Sequence, residues 1–553
     1  MSKGKITLIA TDEYGPAMGI RFLSAALKQA GYETIVVFAI GSVSQEAALG
    51  KVQLFSASVH EQLAQLAQDS LYVGISLITP TFHKAREFTQ QLRLRLPQVP
   101  ILWGGVHANV KPNECLQFAD MVCVGEGENL VVELAERLRQ HKPYHDIPGI
   151  QLPHQPSSSS MTSVDITHLP RPDYTFDGSH YLAHFQGITP FTTEIYNLMM
   201  YMDYYVAPTR GCPYKCTYCV HDKYAVLHKQ ANVKRFRRRD LTDVIAELEW
   251  AKANLPIQRI MIDDDCFLAI KASELRYFTT AYKQRINLPF VLRGAHPQNV
   301  NAEKLQQLCD AGMIKLRIGI QTGSERVREL YDRTWEDNAK IMNMVQLINQ
   351  FIQQRQLRYV MYDIIVDNPW ETDQDKLDTL NLVASLPQPF GIYCFSLTFY
   401  PGTGLYERAL AEQRIPADST GEAYWQGYWE LDAIPINETL IILKALHLSP
   451  RWIRYLAQDR WFANWLRKRL YNFVMRAPEV SLFFKTRQRY EADFLLSSAW
   501  ATHQDKYQIM MRYYGWIAMW LITGKYDNLD GNRLPTFSRR LLLNFYLKWL
   551  APQ

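Results

Sequence analysis

Strand-length apolar runs separated by helical periods organise the first part of the chain. The runs lie at 6–10, 34–39, 72–76, 101–103 and 121–124, with helical spacing at Ile20, Leu23, Ala26 and Leu27 and again over 82–96. The alternation predicts an α/β domain over 1–145, a doubly wound, Rossmann-like parallel sheet with helices on both faces. Ligands on such sheets bind beyond the carboxyl ends of the strands. The unusual loops fall there: Gly15-Pro16 with Gly19 after the first strand, and Ser76 through Thr79-Pro80 after the third. Gly104-Gly105-Val106-His107 and Gly125-Glu126-Gly127-Glu128 follow the fourth and fifth. Residues 146–205, rich in Pro, Ser and aromatics without a sustained period, predict a linker. Alternation resumes over 206–415, where runs at 205–208, 259–262, 290–292, 315–320, 359–366 and 393–398 fit a partial (β/α)6 barrel. Residues 416–553 predict a mostly helical C-terminal domain.

With 47% apolar and 21% charged residues in 553, several cores can be buried, which excludes a disordered chain and a single small binding module. The longest apolar stretch of the tail, 513–522, is half the ~20 residues a membrane span needs. No basic and then apolar leader opens the chain, so a cytoplasmic protein is expected. Charge is uneven: 451–553 holds 17 Lys/Arg against 7 Asp/Glu, and seven of the 13 Trp. Trp461, Phe462, Trp465, Leu466, Leu470 and Phe473 lie at helical spacings beside Arg467, Lys468, Arg469 and Arg476, and 541–550 repeats the texture. Three readings stay open: the packed face of a helical cap, a peripheral contact with an anionic membrane, or a lid over a greasy substrate. Nucleic acid is not expected.

Eight cysteines in this length do not make a disulfide scaffold. Cys115, Cys123, Cys266, Cys309 and Cys394 are scattered and read as small buried hydrophobes. Cys212, Cys216 and Cys219 instead form a CxxxCxxC triplet in the loop after the first barrel strand. Thiolates suit zinc or iron–sulfur clusters. Zinc wants a fourth ligand, and the obvious one, His221, sits only two residues past Cys219. Three cysteines on a four-iron cluster leave one iron open for a small molecule.

This triplet, with Tyr218 before its last cysteine, resembles the cluster motif of the radical S-adenosylmethionine superfamily. The resemblance implies a [4Fe–4S] cluster whose open iron chelates S-adenosylmethionine, and one-electron cleavage to a 5′-deoxyadenosyl radical. Ile262-Asp263-Asp264-Asp265-Cys266-Phe267 is similar to the segment that contacts the methionine amino group. Gly319-Ile320-Gln321-Thr322-Gly323-Ser324-Glu325 is similar to the segment facing ribose and carboxylate, with Gln321 where many relatives have Glu. Asn368-Pro369-Trp370-Glu371-Thr372 resembles the fifth-strand segment, with Asp367 replacing its glycine. Tyr400-Pro401-Gly402-Thr403 resembles the turn after the sixth.

The N-terminal loops resemble the cobalamin-binding domain fused to one branch of that superfamily. The Asp-x-His-x-x-Gly motif that ligates cobalt from below does not occur, so cobalamin without a histidine from that motif is implied. The branch implies methylation of an unactivated carbon of a small, hydrophobic substrate, with an electron donor of flavodoxin or ferredoxin type. Non-methylating oxidation or ring closure, as in the anaerobic cyclase of magnesium-porphyrin synthesis, is the alternative, and a non-catalytic cobalamin-binding sensor is the reading from another class.

Overall fold

The computed structural model describes residues 2–12, 16–40, 54–153, 161–184, 187–200, 203–387, 389–415, 434–446 and 448–476. Gly15 and the aromatic stretches at 513–522 and 541–550 lie outside them. The described residues fall into two compact units, one within 1–288 and 398–428, the other within 289–397 and 429–553.

In the first unit, β1 (Lys5–Ala10), β2 (Glu33–Ala39), β3 (Ser70–Ser76), β4 (Ile101–Gly104) and β5 (Met121–Cys123) run parallel in the order β5-β4-β3-β1-β2. Strand order reverses between β1 and β3, the switch point at which such sheets take ligands. These strands are apolar because helices cover both faces. Trp103 is wholly buried, stacked on Phe118 and edge-on to Phe82. Burying a side chain of this class contributes roughly 1.5–3 kcal/mol.

The expected linker over 146–205 is more structured than its sequence suggests. It supplies β6 (Ile150–Gln151), antiparallel to β5, then β7 (His180–His184), parallel to β2, and β8 (Gly187–Pro190), antiparallel to β7. Strands of two to five residues are too short to leave a period. Asp173 from this segment also helps to anchor Arg21. The buried guanidinium donates to the carbonyls of Pro16 and Asp173, each at 2.9 Å, and lies 4.0 Å from the Tyr174 ring centroid. Burial holds its pKa below the ordinary arginine value.

Six strands expected over 206–415 all form, with ends shifted by a few residues. β9 (Asp203–Val206) precedes the short antiparallel pair β10 (Thr209–Arg210) and β11 (Arg237–Arg238), and β12 (Arg259–Asp263) lies parallel to β9. In the second unit β13 (Phe290–Ala295), β14 (Met313–Gln321), β15 (Tyr359–Val366) and β16 (Gly391–Ser396) are parallel in that order. The helices between them begin on side-chain caps, Asn301, Asp337 and Thr372. Gly312, at φ +110°, ends the Ala302–Ala311 helix and turns the chain into β14.

The tail is helical where described, at Pro435–Leu446, Pro450–Leu456 and Trp461–Arg476. Arg467 is buried there, its Nε 2.9 Å from Glu438 Oε2 and its Nη1 2.8 Å from the Leu456 carbonyl. Trp461, Phe462 and Trp465 are instead 81%, 49% and 47% exposed. This helix turns Ala463 and Arg467 inward and those aromatics outward, the reverse of a packed aromatic cap for these three. Among the described residues no helix is long and apolar enough to cross a membrane.

Glycine at 105 answers to packing within the sheet. Its φ is +98°, and a Cβ would lie 2.6 Å from the Leu77 carbonyl oxygen. Gly105→Val is therefore expected to cost at least about 2 kcal/mol in the cofactor-free chain, measured as a lower urea midpoint.

Candidate active site

The cysteine loop is held by two carboxylates at the end of β12. Asp264 accepts from the Thr209 N–H at 2.7 Å, the Thr209 hydroxyl at 2.5 Å and the Cys266 N–H at 3.0 Å. Burial pushes its pKa up to about 7, against those hydrogen bonds. Asp265 accepts from the Gly211 N–H at 3.2 Å and stands 3.2 Å from His221 Nε2. Burial opposes charge on His221, yet the Asp265 carboxylate raises its pKa overall. Gly211, at φ +86°, passes so close to Arg235 that a Cβ would strike its carbonyl oxygen. Cys212 follows directly, Cys216 is buried, and Cys219 caps the Val220–Gln230 helix.

The loop's donor chemistry fits an iron–sulfur cluster. The Cys266 side chain, then burial, raises the pKa of the Cys212 thiol, while burial raises that of Cys219. Such thiols ionise when a bound cation compensates the charge, so loading metal here releases protons. Among the described residues no three Cys, His, Asp or Glu groups converge on one ion position. A four-iron cluster gives each of three thiolates its own iron and leaves the fourth iron open.

The first unit also carries the predicted cobalamin loops. At Gly19 a Cβ would meet nothing within 4 Å. Thr79 Oγ1 is 3.1 Å from Nδ1 of the fully buried His107, whose Nε2 is 3.6 Å from Glu114. Ser76 is half-buried at the end of β3, and its carbonyl accepts from the Thr11 hydroxyl at 2.9 Å. Pro16 is held by Arg21, and buried Lys84 donates to the carbonyls of Thr11 and Ala39 at 3.3 and 3.4 Å. A Cβ at Gly104 would make ordinary contact with Cys123, while one at Gly125 or Gly127 would press on Thr162 or Leu23. Gly125 thus serves a contact inside the protein, whereas Gly104 has room for a side chain.

Three side chains tie those loops to the cysteine segment. Glu126 Oε1 lies 3.1 Å from Arg210 Nη1 and 2.6 Å from Arg237 Nη2, while Oε2 takes Arg237 Nη1 at 3.0 Å and the Val164 N–H at 2.7 Å. Arg210 Nη2 also reaches Glu128 at 2.5 Å. Burial works against charge on Glu126, but both guanidiniums hold its pKa below the usual carboxylate range. Asn109 donates to the Tyr224 hydroxyl at 3.0 Å and accepts from the Gly125 N–H at 2.6 Å. Sequence reasoning placed Glu126 in a cofactor loop and missed its pairing with Arg210 and Arg237 and the contact between Asn109 and Tyr224. The available signal was the basic run Arg235–Arg239, with acidic Glu126 and Glu128 far upstream.

The second unit carries the other predicted positions. Gln321 has φ +71°, and its amide folds back so that a Cβ on Gly319 would overlap it. Ser324 is buried, donates to Asp375 at 2.5 Å and caps the Glu325–Leu330 helix. Asp367, where the resemblance implied a glycine, has φ +56° and hydrogen-bonds Ser396 and Asn437. Burial pushes the Glu371 pKa up to about 7. Tyr218, between Cys216 and Cys219, is half-buried in the first unit.

Two family models match the chain. The B12 binding domain model matches residues 4–135, and the radical SAM superfamily model matches 206–383. The chain carries a B12-binding domain and a radical SAM domain. The anaerobic magnesium-protoporphyrin IX monomethyl ester cyclase of Synechocystis sp. is 20% identical over 73% of this chain and 75% of its own. The first three curated relatives are matched over only 46%, 27% and 35% of their own length. The cobalamin-dependent radical enzyme OxsB, solved with aqua-cobalamin and S-adenosylmethionine, superposes with a TM-score of 0.60 at 12% identity. That match covers 99% of this chain and 84% of OxsB. The radical S-adenosylmethionine methyltransferase TsrM from Kitasatospora setae gives 0.57 at 17% identity, over 74% of this chain and 76% of TsrM. At such identities the solved structures establish the fold alone.

Because both Glu126 oxygens are committed within the protein, Glu126→Gln is expected to destabilise the cofactor-free chain by about 2 kcal/mol. Urea unfolding reads this; a residue serving only the corrin would leave the midpoint unchanged. Since the carboxyl pKa is depressed, the contribution is present above the usual carboxylate range and lost as pH falls through the folded-state value.

Proposed function

We propose that the protein is a cobalamin-dependent radical S-adenosylmethionine enzyme that methylates an unactivated carbon of a small substrate. The observation carrying this reading is the joining of the B12-domain loops to the cysteine loop, through Glu126 with Arg210 and Arg237 and through Asn109 with Tyr224. Cys212, Cys216 and Cys219 would hold a [4Fe–4S] cluster. The loops at Pro16–Gly19, Ser76–Thr79, Gly104–His107 and Gly125–Gly127 would receive cobalamin. When bound, these groups supply one-electron radical chemistry and a transferable methyl group.

The chain's own residues do the positioning. Asp264 and Asp265 fix the cysteine loop through Thr209 and Gly211, and Gly319 leaves room for the Gln321 amide. Gln321 would present a hydrogen-bonding amide to the ribose of S-adenosylmethionine without pairing to charge. Arg21, holding the Pro16 carbonyl, fixes the first cobalamin loop.

Ring closure or oxidation is the second reading, favoured by the match to the cyclase over most of both chains. Product counting separates them: methylation yields S-adenosylhomocysteine with 5′-deoxyadenosine, and ring closure yields no S-adenosylhomocysteine. A cobalamin-binding sensor would cleave no S-adenosylmethionine after cluster reconstitution under reductant.

Cys212→Ala, Cys216→Ala and Cys219→Ala should each abolish activity and deplete iron, because the cluster loses a thiolate. Cys309→Ala, in the helix before β14, should leave cluster absorbance unchanged. Iron retained after loss of all three triplet cysteines would refute the assignment. For cobalamin, the expected cob(II)alamin spectrum shows no nitrogen hyperfine coupling from a protein imidazole, since His107 is buried against Thr79 and Glu114.

A further inference from the structure

We propose that the substrate carries an anionic group, a carboxylate or a phosphate, beside a flat aromatic or conjugated part, and that the polar face of β13–β16 receives it. This rests on the enzymatic reading above and adds the substrate's chemistry. A parallel strand covered on both faces is normally an unbroken apolar run. β14 alternates instead: Leu316, Ile318 and Ile320 are fully buried, while Lys315, Arg317, Gly319 and Gln321 are only half-buried. The apolar face continues through Val360, Tyr362 and Ile364.

Register extends the polar face to neighbouring strands. Lys315 pairs with Tyr359, Gly319 with Asp363, and Asp363 with Tyr393. Val291 pairs with Lys315; the register shifts between Leu292 and Ala295, and Arg293 in that interval comes close enough to act on Asp363. Arg293 and Lys315 both act electrostatically on Asp363. Arg317 Nε donates to both Asp363 oxygens, at 2.8 and 3.0 Å. Among the described residues of these strands three cations therefore stand around one carboxylate. A half-buried net positive charge favours an anion far more than a solvated one does.

The aromatic residues point to the second feature. Tyr393 and Phe395 stack at 5.6 Å with 15° between their planes. The Arg317 guanidinium lies 4.6 Å from the Tyr393 centroid, and Lys315 Nζ 5.6 Å from that of Tyr359. Flat rings beside cations suit a flat anion. Gln321, whose amide folds over Gly319, pairs with Ile364, three residues beyond Met361, the partner of Arg317, a strand rise of about 10 Å. A molecule received at Arg317 and Lys315 would thus sit deeper along the strand than a nucleoside held at Gln321.

The test uses the full-length, cluster-reconstituted chain and three probes: 1-naphthoate, 1-naphthyl phosphate and uncharged 1-naphthamide. At least one anion is expected to bind tenfold more tightly than the amide at low salt, and the tighter of the two identifies the anion. Lys315→Gln and Arg293→Gln should each erase most of that preference while leaving S-adenosylmethionine affinity unchanged. Arg317→Gln alone strips the partner from Asp363, so the paired variant Arg317→Gln/Asp363→Asn is used, with the same expectation. Equal binding of amide and anions overturns the proposal. So does a loss of S-adenosylmethionine affinity in Lys315→Gln, which would assign the face to the methionine carboxylate. Absence of cluster absorbance in the unmodified chain would refute the enzymatic reading instead, and the probe comparison would still decide this one.

Discussion

The cysteine loop depends on a carboxylate that has no ion-pair partner among its hydrogen bonds. Asp264 is buried and accepts only from the backbone and hydroxyl of Thr209 and from the Cys266 N–H. A buried carboxylate is tolerable only if hydrogen bonds replace its lost hydration. Those bonds can form only while the start of the cysteine loop lies against the end of β12. The neighbouring Asp265 fastens the next residue, Gly211, and pairs with His221. Adjacent carboxylates repel, and the two environments divide the cost: the Asp264 pKa rises while that of Asp265 falls. Positioning three soft ligands is thus achieved by hard oxygen donors fixed on a strand end.

That division explains what was legible in the sequence. The cysteine triplet is local, so its spacing alone announces cluster chemistry. The parallel strands were legible because covering both faces forces them to be apolar. Glu126 was harder: its flanking glycines suggested a loop reserved for cofactor, yet its partners Arg210 and Arg237 lie 84 and 111 residues away. Ser324 matched a motif that faces cofactor in relatives, but its hydroxyl donates to Asp375 in the fold. Asp367 shows the opposite case. A departure from glycine is accommodated because aspartate tolerates left-handed backbone better than most residues do.

The glycine pairs carry a similar lesson. Their resemblance to a corrin cradle was argued from the absence of side chains, but Gly105 and Gly125 lack room for a Cβ against Leu77 and Thr162 of the same chain. Sheet packing at the carboxyl ends of β3, β4 and β5 therefore imposes glycine before any ligand does. Gly19, among the described loop glycines, opens onto space, and Gly104 has room for a Cβ beside Cys123. A glycine pattern in such loops reports close backbone approach, and the approaching group can equally be the protein itself.

Charge composition is a coarse guide, because a count ignores direction. The tail's basic excess suggested a surface for anionic lipid, yet Arg467 lies inside its helical cluster and is neutralised by Glu438. On that helix the outward groups are indoles and a phenyl ring, with Lys468 and Arg469 beside them. In β14 the order is inverted, with cations on the less buried face and aliphatic side chains packed beneath. The first 450 residues are net acidic, so composition alone would have assigned no anion to them. Strand alternation places Lys315 and Arg317 on one face, Arg293 joins them around Asp363, and local arrangement rather than net charge sets the field that a substrate meets.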